Sequence, residues 1–386
     1  MKRLLAILVL ALFGAAIGQV TVGVNLELSG RFAGIGIPTL QGIEAALAQL
    51  EADPSGARIR TSVTLSICDN ATTVEGSIGC AHRFVDEGVV AVLGAISTSM
   101  SIPAAGVLQD AGIVMISTSS TNPATTQIGD YIFRMTYTDD FQAKVTARHV
   151  VDDLGASSAI VFRQQDDDYS FGLAGFFVEA FEALGGESVV VDYVANTMDF
   201  NAQINDIFGT QADIIYFSGF CAEGAILVPQ LKDAGIEVQI FGSAASDDSQ
   251  CPVAGGEAFN GYLFTGYAGP EILSGETAKR ARDFRAFFET IFPDAADFNG
   301  FTLAGADSLN VIVEVIDQAG DMASAAEIRD QLAALEGFPG VSGEITYAGT
   351  DGTPSDRTIG FFEYVVPADN DQGWDKIVKF GVGTGE

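Results

Sequence analysis

Apolar and polar positions along the 386-residue chain switch between two periods almost without exception. Val20 to Leu28 alternates as a strand does, and Leu40 to Leu50 then carries apolar residues at helical spacing. Ile59 to Ile67 reads as a strand, Val74 to Val85 as a helix and Val89 to Leu93 as a buried strand. Pro103 to Ala111 reads as a helix with proline near its start, and Ile113 to Ile116 as another buried strand. The alternation resumes with strand Ala159 to Phe162, helix Phe171 to Leu184 and strand Ser188 to Tyr193. Strand Ile214 to Phe217, helix Ala225 to Ala234 and strand Val238 to Phe241 follow. Such repetition predicts parallel sheets with right-handed, helical crossovers.

One such sheet rarely uses a chain of this length, so two are expected. Gly-rich and polar breaks fall near Thr136 to Asp140 and Thr265 to Pro270. The last third differs, with helices Thr277 to Ile291, Leu303 to Ala319 and Ala325 to Leu335. Short strands Gly343 to Tyr347, Thr358 to Val365 and Ile377 to Phe380 close it. The expected architecture is two α/β lobes between which the chain passes more than once. No 20–50-residue repeat and no low-complexity tract interrupts this pattern.

Charge narrows the partners. Nineteen Lys plus Arg against 51 Asp plus Glu give a net charge of −32, which repels nucleic acid and anionic membranes. The acid-rich, Lys-poor balance suits either a salty milieu or simply a soluble acidic surface. Only His82 and His149 are available for His-based catalysis or metal ligation. Lys2 and Arg3, the apolar run Leu4 to Phe13 and the small residues Ala15-Ala16-Ile17-Gly18 read as a signal peptide. Its apolar part is too short for an anchor, and the mature chain is expected to start at Gln19, soluble, exported and periplasmic.

Four cysteines in an exported chain imply two disulfides. Three pairings exist; Cys68–Cys80 with Cys221–Cys251 is favoured, the first tying a strand end to the next helix. Zinc is the competing reading, but neither a CxxC nor a nearby His supports it. No metal and no cofactor are expected.

Two hydroxyl-rich loops carry most of the chemistry. Gly94-Ala-Ile-Ser97-Thr98-Ser99 and Ser117-Thr118-Ser119-Ser120-Thr121 each follow an apolar strand and precede a helix start. In a parallel sheet they lie side by side at the carboxyl ends of their strands, where ligands bind. Hydroxyls and backbone N–H groups at helix N-termini suit a small carboxylate. Taken singly, each loop also reads as plain N-capping.

The chain resembles type I periplasmic solute-binding proteins, specifically the branched-chain amino-acid (leucine/isoleucine/valine) binding family of ABC importers. The similarity opens at Val24-Asn-Leu-Glu-Leu-Ser29-Gly30 and Gly42-Ile-Glu44, and continues through Phe84-Val-Asp-Glu-Gly88-Val-Val-Ala-Val-Leu-Gly94. Asp110-Ala-Gly112-Ile-Val-Met-Ile116, Tyr131-Ile-Phe-Arg134, Asp168-Tyr169-Ser-Phe-Gly172, Asp213-Ile-Ile-Tyr216 and Ala234-Gly235 follow in the family's order. The resemblance implies two doubly wound Rossmann-like lobes around a central cleft, joined by several hinge crossovers. Lobe 1 would comprise 19–138 plus 268–348, and lobe 2 139–267 plus 349–386, after a signal peptide at 1–18.

It also implies a site. The family's carboxylate-binding hydroxyls fall on Thr98, Ser119 and Thr121, and its second-lobe aromatics on Tyr169 and Phe220. The first-lobe aromatic falls on Ile35, with Phe32 beside it. The acid that would meet a ligand ammonium falls at Ala244, which cannot do so. Two carboxylates are in position to replace it, Asp139 and Asp247. Asp139 also reads as a helix cap, Asp247 as a solvated loop acid, and Phe32 and Ile35 as core.

The implied function is capture of a small apolar L-amino acid for delivery to an ABC permease at the inner membrane, by a monomer. The alternatives are a 2-oxo or aromatic carboxylate lacking an amine, and a ligand-sensing partner of a membrane receptor. An enzyme is not expected: G-x-S-x-G, P-loop and H-E-x-x-H motifs are missing. Gly34-x-Gly36 reads as turn chemistry rather than a dinucleotide fingerprint, and Asp166-Asp167-Asp168 as a solvated loop.

Overall fold

The computed structural model describes residues 19–52, 62–295, 297–320, 323–355, 357–365 and 375–383. The expected signal peptide, its cleavage point and the first residues of the strand read from Ile59 lie outside them.

The first half runs β1 (Gln19–Leu26), α1 (Ala33–Glu51), β2 (Ser62–Asp69), α2 (Val74–Glu87), β3 (Ala91–Gly94), α3 (Thr98–Ala111), β4 (Val114–Ser117) and β5 (Ile132–Arg134). These strands form one parallel sheet in the order β2-β1-β3-β4-β5. Alternate residues feed opposite faces, as pleating requires. Val92, Met115 and Ile132 pack beneath α2 and α3, while Leu93, Val114 and Ile116 face the main core. Both faces are covered, which is why these strands read as unbroken apolar runs.

The second half runs α4 (Asp139–Asp152), β6 (Ser158–Gln164), α5 (Asp168–Ala183), β7 (Glu187–Tyr193), α6 (Asn201–Ile207), β8 (Ile214–Phe217), α7 (Cys221–Asp233), β9 (Gln239–Gly242), α8 (Gln250–Gly255) and β10 (Tyr262–Tyr267). Then come α9 (Gly275–Ile291), α10 (Gly300–Ala319), α11 (Ala325–Ala333), β11 (Phe338–Pro339), β12 (Glu344–Ile345), β13 (Ile359–Val365) and β14 (Asp375–Gly383). The second sheet has the order β14-β13-β10-β9-β8-β6-β7. Its β6 to β10 portion is parallel, and β13 and β14 are antiparallel additions at one edge.

The chain returns once more before it ends. Helix α10 packs along α1, and the Tyr347 hydroxyl donates to the carbonyl of Arg134 at 2.7 Å, back at the first sheet. Only then does β13 join the second sheet.

Two expectations change here. Gly34 and Gly36 sit inside α1 rather than in a turn, because the helix begins at Ala33. A Cβ on Gly36 would run into the Glu27 carbonyl, so the glycine permits close approach of helix and strand end. Helix α3 starts at Thr98, leaving Pro103 inside it rather than near its start. The cysteines pair as favoured: Cys68 with Cys80 and Cys221 with Cys251, at Cα separations of 5.8 Å and 5.1 Å. Among the described residues no helix is long and apolar enough to cross a membrane.

Candidate functional site

Each parallel order contains a point where successive crossovers leave in opposite directions: between β1 and β3, and between β6 and β8. Loops diverge there and open a crevice at the carboxyl ends of the strands. The loops after all four strands meet around one cavity of about 270 Å³ of empty space. Its lining is Ile35, Ile96, Ser97, Thr98, Ser119, Thr121, Tyr169, Phe220, Ala245, Tyr267 and Phe301.

The polar end is built by the two hydroxyl loops. Thr98 Oγ1 accepts from Ser120 Oγ at 3.1 Å, so its own hydrogen is left to donate into the cavity. The hydroxyls of Ser119, Thr121 and Tyr169 are buried and make no hydrogen bond of ordinary geometry, although Asp139 lies near Thr121, Tyr267 near Ser119, and Ser243 and Gln142 near Tyr169. Buried unsatisfied groups of this kind are expected to meet something in the cavity. Glu27, at the end of β1, shapes the first loop: its carboxylate accepts from the N–H of Ile96 and of Ser97 at 3.1 and 3.0 Å, and from Ser97 Oγ at 2.8 Å. Burial pushes Glu27 up, and these three bonds pull the other way. Arg134 props the second loop, donating to the carbonyls of Ser120 and Asn122, both at 2.8 Å. Burial lowers its guanidinium to about 10.

Asp139 lies against the same loop, its N–H donating to the Thr121 carbonyl at 2.8 Å. The residue is 0% exposed, and neither carboxylate oxygen meets a donor in hydrogen-bond geometry. Burial raises its pKa to about 7, against the easing effect of the nearby Thr121 hydroxyl and Arg134 charge. Asp139 therefore does not cap α4, although it is the first residue of that helix. Tyr137, Tyr169, Tyr216 and Tyr267 surround it, and burial drives all four phenols up.

Of the other residues singled out above, Thr98, Ser119, Thr121, Ile35, Tyr169 and Phe220 line the cavity. Phe32 does not line it but packs against Phe220, tilted by 34° with ring centroids 4.1 Å apart. Asp247 is buried at 2% exposure rather than solvated, and neither it nor Asp139 is among the residues that line the cavity; Asp139 lies behind the Thr121 loop. Its carbonyl accepts from Asn299 at 3.0 Å, and its charge bears on Tyr364. Asp167, expected in a solvated loop, is 3% exposed. It caps α5 by accepting from the Ser170 N–H at 3.0 Å. Phe301, Tyr267, Ile96 and Ala245 also line the cavity and were not foreseen. Only their position next to strand ends or a helix start signals them. The groups of three or more His, Cys, Asp or Glu that a metal needs do not occur among the described residues.

Known proteins of this shape exist. The chain is 26% identical over 354 residues to the Leu/Ile/Val-binding protein BraC3 of Rhizobium johnstonii, covering 91% of this chain and 94% of that one. It is 28% identical to a Leu/Ile/Val-binding protein homolog of Brucella melitensis, covering 87% and 89%. The crystal structure of a leucine binding protein LivK from Thermotoga maritima superposes with a TM-score of 0.84 at 25% identity, covering 94% of this chain and 99% of that one. The family model described as periplasmic binding protein matches residues 19–365. With two doubly wound sheets, facing crevices and a cavity between them, the chain belongs to the periplasmic binding protein family.

Proposed function

We propose that this protein captures a small apolar L-α-amino acid in the periplasm and presents it to an ABC permease. The observation that carries the reading is Asp139, a fully buried carboxylate that makes no hydrogen bond of ordinary geometry and lies directly against the loop bearing the Ser119 and Thr121 hydroxyls. An acid beside a hydroxyl cluster offers a partner to each end of a zwitterion. Thr98, Ser119 and Thr121 take the carboxylate, and Asp139 takes the ammonium in place of the acid absent at Ala244. Ile35, Ile96, Phe220 and Phe301 wall the side chain. The names of the relatives support this ligand class.

The two sheets then belong to two lobes, 19–138 with 268–348 and 139–267 with 349–386. Binding shifts the population toward the closed arrangement, which the permease reads. No step in this reading makes or breaks a bond, so the protein is not an enzyme. Export through the segment 1–18 and a monomeric state complete it. A second reading rests on Ala244, buried at 1% exposure with no acid to offer: a 2-oxo or aromatic carboxylate without an amine.

Ligand-stripped protein should separate the two in a thermal-shift titration with L-leucine and with its 2-oxo acid. At about 100 times the dissociation constant the true ligand adds roughly 2.7 kcal/mol to stability. Leucine shifts wild type and leaves Asp139→Asn unmoved if the first reading holds. A larger shift with the 2-oxo acid replaces it by the second.

A further inference from the structure

One arginine joins the two sheets behind the cavity-lining Phe220. Arg31, in the turn between β1 and α1, donates through Nη1 to Gln164 Oε1 at 3.0 Å and to Glu223 Oε1 at 3.1 Å. Its Nη2 stands 3.7 Å from Asp167 Oδ2. The guanidinium also lies over the Phe32 ring at 4.3 Å and the Phe220 ring at 5.3 Å, the two rings that pack against each other between the two sheets. Arg31 and Phe32 follow a strand of the first sheet. Gln164, Asp167, Phe220 and Glu223 all sit at the switch point of the second.

Both acids are out of water, with side chains 1% exposed, whereas Arg31 keeps 18%. A buried carboxylate without a counter-charge costs several kcal/mol, so this arrangement depends on Arg31 being there. The contacts beside it join the same two units. Ser99 Oγ donates to Asp167 Oδ2 at 2.9 Å and accepts from the Asp168 N–H at 3.0 Å. Asn122 Nδ2 donates to the Asp168 carbonyl at 3.1 Å. A planar fork reaches several acceptors and stacks on rings at once, which an ammonium does not. In a chain with net charge −32, bringing two acidic units together also needs a positive group at the seam.

We infer that Arg31 is the latch that holds the cleft shut over the ligand: by tying Gln164, Asp167 and Glu223 to the first unit and seating Phe32 on Phe220, it sets how long the ligand is retained. The inference rests on the two-lobe reading above but not on the identity of the ligand. Arg31 does not itself line the cavity and bears on it only through the outer side of Phe220, so it is a positioning residue. Its loss acts on dissociation rather than encounter, because the latch forms only after the lobes meet.

The test follows L-leucine kinetics and lobe distance in the whole protein. Wild type, Arg31→Gln, Arg31→Lys and Arg31→Gln with Glu223→Gln are compared by stopped flow. Spin labels on His82→Cys in α2 and Glu179→Cys in α5, both exposed, report closure with and without L-leucine. Arg31→Gln should release leucine about 10–100-fold faster, with an on-rate within about 3-fold of wild type. Arg31→Lys should fall between, and the added Glu223→Gln should recover part of the loss by removing the stranded acid. Ligand-free melting should change little, since the contacts belong to the closed state. Equal dissociation rates and equal closed populations in wild type and Arg31→Gln overturn the latch. So does a wild type that never populates the short distance under either condition. If leucine neither binds nor closes wild type, but Arg31→Gln still lowers its ligand-free closed fraction, the ligand reading fails and the latch stands.

Discussion

Asp139 is the residue whose titration ties stability to function. Burial raises it from 3.8 to about 7 in the folded chain. Between those values the native state holds a proton that the unfolded chain has already lost. Ligand-free stability therefore falls as pH rises from 4 to 7, then levels, and a shift of about three units is worth roughly 4 kcal/mol. Asp139→Asn removes that penalty: its melting temperature should exceed that of wild type at pH 8 and match it near pH 4. An equal difference at both pH values would show that the raised carboxyl is not its source. A bound ammonium draws Asp139 down, so amino-acid affinity should rise with pH through about 7 and binding should release a proton. Titration calorimetry in two buffers of different ionisation enthalpy reads this directly. Thr121→Ala should cost roughly 1–3 kcal/mol of carboxylate affinity, through an acceptor left unpaired on binding. The hydroxyl trio was implied by the family resemblance, since hydroxyls after apolar strands serve equally well as helix caps; the structure adds that all three line one cavity. Asp139 remained one of two candidates there, since spacing alone does not tell a buried acid from a capping one.

At the scale of elements, close backbone approach and the disulfides matter most. A Cβ on Gly42 of α1 would meet the Thr302 carbonyl of α10, and one on Gly305 would meet the Thr39 carbonyl. Two glycines, one from each helix, let the backbones touch. Gly42→Ala should cost about 1–3 kcal/mol by overpacking, read as an earlier denaturant midpoint. An unchanged midpoint would mean the helices part without strain. Cys68–Cys80 and Cys221–Cys251 close loops of 12 and 30 residues. Each is worth roughly 3–4 kcal/mol in the chain-entropy picture, so a reductant should lower the melting temperature clearly. Helix α3 shows why element boundaries were harder to read than element types. Thr98-Ser-Met-Ser looks like loop, yet Glu27 occupies the N–H groups just ahead of it, and the helix starts there. That partner arrives from another strand, which local propensity does not register.

For the whole molecule, self-repulsion from the −32 charge should be screened by salt. Raising sodium chloride from low concentration to about 0.5 M, where the Debye length falls to a few Å, should increase the melting temperature. A flat or falling curve would place the acids too far apart to repel. The alternation of strand and helix was determined by the sequence alone, because burial on both faces leaves an apolar run and helix periodicity is local. Chain length added the expectation of two sheets, while the cysteine pairing stayed one favoured choice among three until the fold brought Cys68 to Cys80 and Cys221 to Cys251. What only the tertiary structure decided is which loops face one another. Arg31 meets Gln164 across 133 residues and Glu223 across 192, and Tyr267 meets Ser119 across 148. Nothing in the spacing of a sequence encodes those distances. They come from two sheets folding with their switch points opposed, and that packing turns an arginine in a turn and an aspartate in an acidic run into one buried cluster.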